Sequence, residues 1–475
     1  MTSDLPRYPQ LGLCIAGEWH HRTGSGTSDV IDPATEEVIG QLPHAGPHEL
    51  DAMLAAAATA LPVWRAQAPA SRGAILREAA RLLRARADTI AAMMTREQGR
   101  PLADSKGEVL RAADLIAWNA GAAEELFAQG GSDHGVVRWE PIGVVAAITP
   151  WNVPVFSPAR KVSMALAAGC PCILKASEDA PACAAALVQA FIDAGLPQGV
   201  LSLAFGAPDL ISRHLIASPV VRKITFTGAT TIGKHLAVLA GDKMKPMTME
   251  LGGHAPVIVL ADADPVAAGN AAAAAKFRNA GQICTSPTRF YVQAAIHGAF
   301  LDAFVASAEH LKLGNGFEPS TQMGPLANAR RLSAIDDLVK RAVRHGARVA
   351  TGGTRLGARG YFFRPTVLTD VAGDNPFMRE EPFGPLASIA PFADVDDAIA
   401  RANDNDAGLA AYLFTRDADK RERIVSALQC GVIGVNSFIV SSPKLPFGGI
   451  KDSGYGREGG YEGIRAFLVS KAVVQ

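Results

Sequence analysis

Cys284 stands in the segment RNAGQICTSPTRF, between an alanine-rich stretch and a β-branched one, with Gly281, Gln282, Thr285 and Ser286 around it. A lone cysteine is most often a small buried apolar residue, and that reading suits Cys14, Cys170, Cys172, Cys183 and Cys430. The small polar setting of Cys284 suits a nucleophile instead. A thiolate is the strongest nucleophile among side chains, and a loop or helix start rich in N–H donors lowers its pKa. The histidine partner of a thiol hydrolase is not evident, because His254, after ELGG, has no visible tie to the cysteine. Glu250, in MTMELGGHAP, closes an apolar run and precedes two glycines. It reads either as a solvated carboxylate at a strand end or as a general base whose pKa a partly dry cleft raises. Asn152, in ITPWNVP, lies where a buried strand breaks between Pro150 and Pro154. An amide fixed in such a turn can donate to an oxyanion or simply shape the turn.

These residues need elements to hold them. Residues 71–99, SRGAILREAARLLRARADTIAAMMTREQG, carry apolar positions at helical spacing and stop at Gly99, with Pro101 just beyond. From about residue 142 short β-branched runs alternate with helical ones: GVVAAIT, PARKVSMALAAG, CILKAS, APACAAALVQAFIDAG, VLSLAFG and KITFTG. That alternation predicts a parallel sheet with helices on both faces and ligands beyond the carboxyl ends of its strands. A second α/β region starts near HAPVIVL, and TGGTRLGARGYFF reads as a turn-rich connection. KITFTG runs into ATTIGKHLAVLAG, which places Gly228 at a strand end and Gly233 one turn into a helix. A helix start there can hold a phosphate through unpaired N–H groups, or the glycines serve only a tight strand–helix turn.

Composition narrows the class. Over 475 residues, 46 Lys+Arg balance 46 Asp+Glu, and 48% of residues are apolar. Zero net charge speaks against a nucleic-acid or anionic-membrane partner, since neutralising phosphates takes a cationic surplus. Six scattered cysteines, none in a CxxC pair, speak against a disulfide scaffold and a structural zinc. No metal is expected. The start MTSDLPRY lacks a basic region followed by an apolar stretch, and no apolar run reaches membrane-spanning length. A cytoplasmic protein is expected.

Taken together, the segments IDPATEEVIGQLP, TPWNVP, LKASEDAP, FTGATTIG, MELGGHAP, RNAGQICTS, EEPFGP and PFGGIKDSGYGRE resemble the aldehyde dehydrogenase superfamily in order and spacing over nearly the whole chain. The resemblance implies an α/β fold in three parts. A Rossmann-like parallel-sheet cofactor domain would take 1–121 and 142–252, an α/β catalytic domain 253–445, and a small β oligomerisation element 122–141 and 446–475. It implies a homodimer or homotetramer. It also makes Cys284 the nucleophile toward an aldehyde carbon, Asn152 with the Cys284 N–H the oxyanion holder, and Glu250 the base for thioester hydrolysis. Lys161 and Glu458 match a proton relay behind that base. Thr149, Pro150, Trp151, Gly228, Ala229 and Gly233 match positions along the cofactor. Lys175 and Glu178 match positions at its adenosine ribose, and Glu381 and Phe383 match positions at the nicotinamide ribose and ring. Ala229 departs from the family's frequent serine, which removes a hydroxyl contact to the pyrophosphate. A carboxylate at Glu178 would repel a 2′-phosphate, so NAD is expected over NADP.

Arg160, eight residues after Asn152, Arg278, six before Cys284, and Ser441 in IVSSPKLPFGG resemble the substrate-carboxylate clamp of succinate-semialdehyde dehydrogenases. Two guanidiniums near one pocket need an anion, and the four-carbon semialdehyde and 2-oxoglutarate semialdehyde both fit. The structural alternative is that each arginine pairs with a local acid. Ser286 stands where some such enzymes carry a second cysteine, so no disulfide switch is expected at Cys284. Uncharged aldehydes are the alternative substrates. A cofactor-independent thiol esterase, a CoA-acylating dehydrogenase and a non-enzymatic structural protein are the rival functions, and Glu250 speaks against the second.

Overall fold

The computed structural model describes residues 7–127 and 135–474. Five strands, β1 (Val144–Ile148), β2 (Cys172–Lys175), β3 (Leu201–Ala204), β4 (Val221–Thr227) and β5 (Met247–Glu250), form a parallel sheet in the order β5-β4-β1-β2-β3. Every residue of β1, β2, β3 and β5 is buried. Helices cover both faces of such a sheet, so its strands read as unbroken apolar runs without alternation. Leu13–Ile15 and Glu18–His20 extend the sheet antiparallel beyond β3.

Four residues after β5 the chain enters a second sheet. Its parallel strands are β6 (Ala255–Val259), β7 (Pro287–Gln293), β8 (Thr366–Thr369), β9 (Leu386–Phe392), β10 (Ala410–Phe414) and β11 (Val432–Val435), in the order β8-β9-β7-β6-β10-β11. Arg348–Thr351 joins β8 antiparallel at the edge. The sheets have separate hydrophobic cores, one built around Trp64, Phe191 and Phe205 and the other around Phe290, Phe300 and Phe304. A two-stranded ribbon pairs Gly135–Pro141 with Leu468–Val474.

Four helices matter for the site: α1 (Leu102–Phe127), α2 (Phe156–Ala168), α3 (Thr230–Asp242) and α4 (Pro265–Phe277). The long helical run at 71–99 is two helices, Pro69–Ala85 and Ala87–Gln98, which break at Arg86 where ψ is 9°. Gly99 ends the second in the left-handed conformation, as its position before Pro101 predicts. No helix among the described residues is long and apolar enough to cross a membrane. The six cysteines are all free.

Between α4 and β7 the backbone turns left-handed at three consecutive residues, Asn279, Ala280 and Gly281, with φ of 51°, 52° and 72°. A β-carbon on Gly281 would lie 2.1 Å from the carbonyl oxygen of Gly384, so this position needs glycine for its close approach as well as its φ. Gly281→Ala is therefore expected to lower stability by about 1–3 kcal/mol. Gly298→Ala, in open space on helix Ala294–His310, is expected to be neutral or stabilising by up to about 1 kcal/mol. Equal denaturant midpoints for the two variants would contradict this account.

Candidate active site

The chain runs through the first sheet outward from β1 to β3 and then returns to the other side of β1 for β4, so the sheet's order reverses between β1 and β4. Loops leaving those two strands diverge and open a crevice at their carboxyl ends. Thr149, Pro150, Trp151 and Asn152 follow β1, and Gly228 and Ala229 follow β4. A cleft of about 560 Å³ lies there, walled by Pro150, Trp151, Gly228, Ala229, Glu381 and Phe383. The rings of Trp151 and Phe383 meet edge-on at 5.6 Å. Ala229 caps α3 without a side-chain hydrogen bond, so no hydroxyl occupies the amides of the first turn. Gly233 packs so closely on Leu251 that a β-carbon would lie 2.4 Å from a methyl. Lys175 and Glu178 lie beyond the cleft lining as an ion pair of 2.8 Å, and Glu178 also accepts from the Gly206 N–H at 2.9 Å.

Cys284 lines this cleft and also a second cavity of about 220 Å³, whose walls include Phe156, Ile283 and Phe447. The thiol is thus reached from two directions. Asn152 is buried at the same junction, and its Nδ2 donates to the Gln282 carbonyl at 3.1 Å. One amide hydrogen remains for another acceptor. Gly253 brings the backbone so close that a β-carbon would lie 2.4 Å from the Cys284 carbonyl oxygen.

Glu250 is no surface carboxylate. It is 3% exposed and neither of its oxygens has a hydrogen-bond partner. Burial, then the charge of Glu458, raises its pKa well above the ordinary range, against the pull of Lys161, Arg160 and Arg457. The thiol behaves opposite to the sequence expectation. Burial, followed by the charges of Glu381 and Glu250, pushes Cys284 up to about 12, and Arg160 and the Thr285 N–H offset little of that. Loop amides lower a thiol only where they outweigh desolvation, and here two carboxyls face it. Glu381 accepts from the Gly253 N–H at 3.0 Å, and burial raises it to about 7.

Lys161 and Glu458 form a buried ion pair behind Glu250, and Thr225 donates its hydroxyl to Glu458 at 3.4 Å. Arg160 donates to the Ser441 hydroxyl at 2.8 Å and lies 4.7 Å from the rings of both Phe156 and Phe447. It is 3.9 Å from Glu458, so it has a local acid, though at the limit of ion pairing. Arg278 lines the same cavity. His254 bonds Thr288 at 2.8 Å and the Phe377 carbonyl at 2.7 Å, which occupies both ring nitrogens.

The family model described as "Aldehyde dehydrogenase family" matches residues 19–473. The chain belongs to the aldehyde dehydrogenase family. This aldehyde dehydrogenase is 45% identical to a 4-(hydroxymethyl)benzenesulfonate dehydrogenase of Comamonas testosteroni over 99% of each chain. It is 40% identical to the NADP(+) succinate-semialdehyde dehydrogenase of Escherichia coli K12 over 96% of each. The crystal structure of succinate-semialdehyde dehydrogenase from Burkholderia pseudomallei superposes with a TM-score of 0.94 at 41% identity, covering 97% of each chain.

Several residues of this dehydrogenase's site had no local signal. Arg331, on helix Ala329–Arg344, donates to the carbonyls of Pro382 and Phe383 and so fixes the Phe383 loop. Glu108 accepts from the N–H groups of Val155 and Phe156 at 2.9 and 3.0 Å and orients the start of α2. Arg111, on α1, lines the smaller cavity. Each works through partners more than forty residues away or from another helix.

The raised thiol pKa has a direct readout. In cofactor-free enzyme, iodoacetamide labelling of Cys284, mapped by peptide mass, is expected to accelerate about tenfold per pH unit from pH 7 to 9. A plateau below pH 9 would show a thiolate already formed.

Proposed function

We propose that this enzyme oxidises an aldehyde carrying an anionic group to the carboxylic acid, with NAD as hydride acceptor and Cys284 as nucleophile. The carrying observation is that Cys284 lies where two cavities meet, with Asn152 and Glu250 beside it.

The larger cleft fits a nicotinamide dinucleotide. The uncapped start of α3 offers amides for a pyrophosphate, Glu381 faces the cleft for a ribose, and the buried Thr149 hydroxyl has no partner. Thr149, Pro150, Trp151 and Phe383 would hold the nicotinamide end, and Lys175 and Glu178 the adenosine ribose. When bound, NAD supplies the hydride acceptor. Cys284 adds its sulfur to the aldehyde carbon after giving up its proton to Glu250, which lines the same cavity and passes that proton to solvent before deacylation begins. The free hydrogen of Asn152 Nδ2 and the Cys284 N–H hold the resulting oxyanion. After hydride loss a thioester remains on Cys284. Glu250 takes a proton from water, the hydroxide adds to the thioester carbon, and the sulfur leaves as the acid departs. The Lys161–Glu458 ion pair lies behind Glu250 and acts on it through charge, Glu458 raising and Lys161 lowering its pKa.

Arg160, held by Ser441 and two aromatic rings, and Arg278 would receive the substrate's anion. The relatives named for succinate semialdehyde and for 4-(hydroxymethyl)benzenesulfonate support this, since both compounds carry an anion. NAD preference rests on Glu178, whose carboxylate, held by the Gly206 N–H and by Lys175, would face the adenosine ribose. The E. coli relative is named for NADP(+), so cofactor choice needs its own measurement. The exposed Val136, Val137, Val469 and Val474 of the ribbon support a homo-oligomer.

Glu250→Gln is expected to release a burst of reduced cofactor and then stall at the thioester. Wild-type deacylation should climb with pH as the raised Glu250 ionises, and the variant's residual rate should not. Wild-type steady-state turnover in the variant would refute the assigned base. For the substrate, Arg278→Ala is expected to raise KM for succinate semialdehyde at least about tenfold and for butyraldehyde less than about twofold. The same assays should give NAD a higher kcat/KM than NADP. Equal effects on the two aldehydes would remove the anion from the proposal, and equal cofactor constants would remove the preference.

A further inference from the structure

We infer that Arg111 is a specificity-determining residue which, with Arg278, holds the acidic group of a ring-sized aldehyde at the outer end of the substrate cavity. This deepens the anionic-aldehyde reading above and rests on it.

Three helices each bring one guanidinium to this cavity: Arg111 from α1, Arg160 from α2, and Arg278 from the end of α4. They are not equivalent. Arg160 is buried, bonded to Ser441 and flanked by Glu458, whereas Arg111 and Arg278 are exposed. Neither Arg111 nor Arg278 makes a side-chain hydrogen bond or ion pair among the described residues.

The acids near them are committed elsewhere. Glu108 takes Arg100 and the N–H groups of Val155 and Phe156, and Asp114 takes Arg84 at 2.6 Å. Asp104 contributes only a long-range pull on Arg111. Desolvation, and then the charges of Arg278 and Arg100, draw Arg111 below the usual guanidinium range against Glu108. Two like charges that neither hydrogen-bond nor ion-pair with an acid, and that only the charges of Glu108 and Asp104 offset at Arg111, are relieved by a bound anion, and guanidinium forks bind one bidentately.

Cavity size sets the body between the reacting carbon and that anion. A cavity of about 150 Å³ already accepts benzene, and this one measures about 220 Å³ with Phe156 and Phe447 in its walls. It therefore has room for an aromatic ring plus a formyl group at the thiol and an acid opposite. A four-carbon semialdehyde is shorter, so its carboxylate is held by Arg160, Ser441 and Arg278 and does not extend to Arg111.

The test compares 4-carboxybenzaldehyde, benzaldehyde and succinate semialdehyde on the wild-type enzyme, Arg111→Gln, Arg111→Lys and Arg278→Ala. Arg111→Gln is expected to raise KM for 4-carboxybenzaldehyde at least about tenfold with kcat within about twofold, and to move the other two KM values less than about twofold. Arg111→Lys should recover part of the loss. A shift shared with benzaldehyde, or no shift, overturns the role of Arg111, and a shift shared with succinate semialdehyde overturns the ring-sized substrate. If Arg278→Ala is itself blind to substrate charge, the anionic-aldehyde reading has failed. If Arg278→Ala is selective and Arg111→Gln is not, only the present inference has failed.

Discussion

The amide of Asn152 bonded to the carbonyl of Gln282 is the contact on which the rest of the site depends, because it ties the first sheet's crevice to the loop that carries Cys284. The bond does not stand alone. Asn279 donates back to the Asn152 carbonyl at 3.2 Å, and the Gln282 side chain bonds Asn279 on one end and the Ala327 N–H on the other. All three side chains are buried. A buried amide left unpaired costs about 1–3 kcal/mol, so each member holds its neighbours in place. This closed set also supports the left-handed backbone at Asn279 and Ala280, a conformation that asparagine tolerates and alanine disfavours.

Around that tie, the charges are arranged unequally. Glu458 has Lys161 and Thr225, while Glu250, one shell nearer the thiol, has no partner at all. Glu381 has a single amide. A carboxyl kept dry and unpaired holds its proton longer than one that is paired. Gly448 makes that dryness possible, since a β-carbon there would lie 2.8 Å from a Glu250 oxygen, and Gly252 does the same for Glu381 at 2.3 Å. Gly448 and Gly252 thus act by steric admission of a carboxyl to the backbone.

The parallel architecture was legible because buried strands such as VVAAI and CILK read as short apolar runs between helical patterns. Cys284, Glu250 and Asn152 were legible because each breaks its local pattern, a polar or reactive residue at the end of an apolar element. The protonated thiol was not, since loop composition shows donors but not the two carboxyls that arrive from residues 250 and 381. The place of Gly233 in the strand–helix turn was legible, whereas its tight packing on Leu251 became visible only in three dimensions. Arg331 and Glu108 escaped notice because their partners come from other elements, and Arg111 because the cavity it lines is built by several elements. The break at Arg86 lies inside a strong helical pattern, with neither glycine nor proline to mark it.

Because the two cavities share Cys284 and open on different sides of it, the thiol behaves as a partition with two doors. A group attached to the sulfur blocks one doorway without closing the other. A molecule held in the larger cleft and another held in the smaller cavity can thus stand against the same sulfur together.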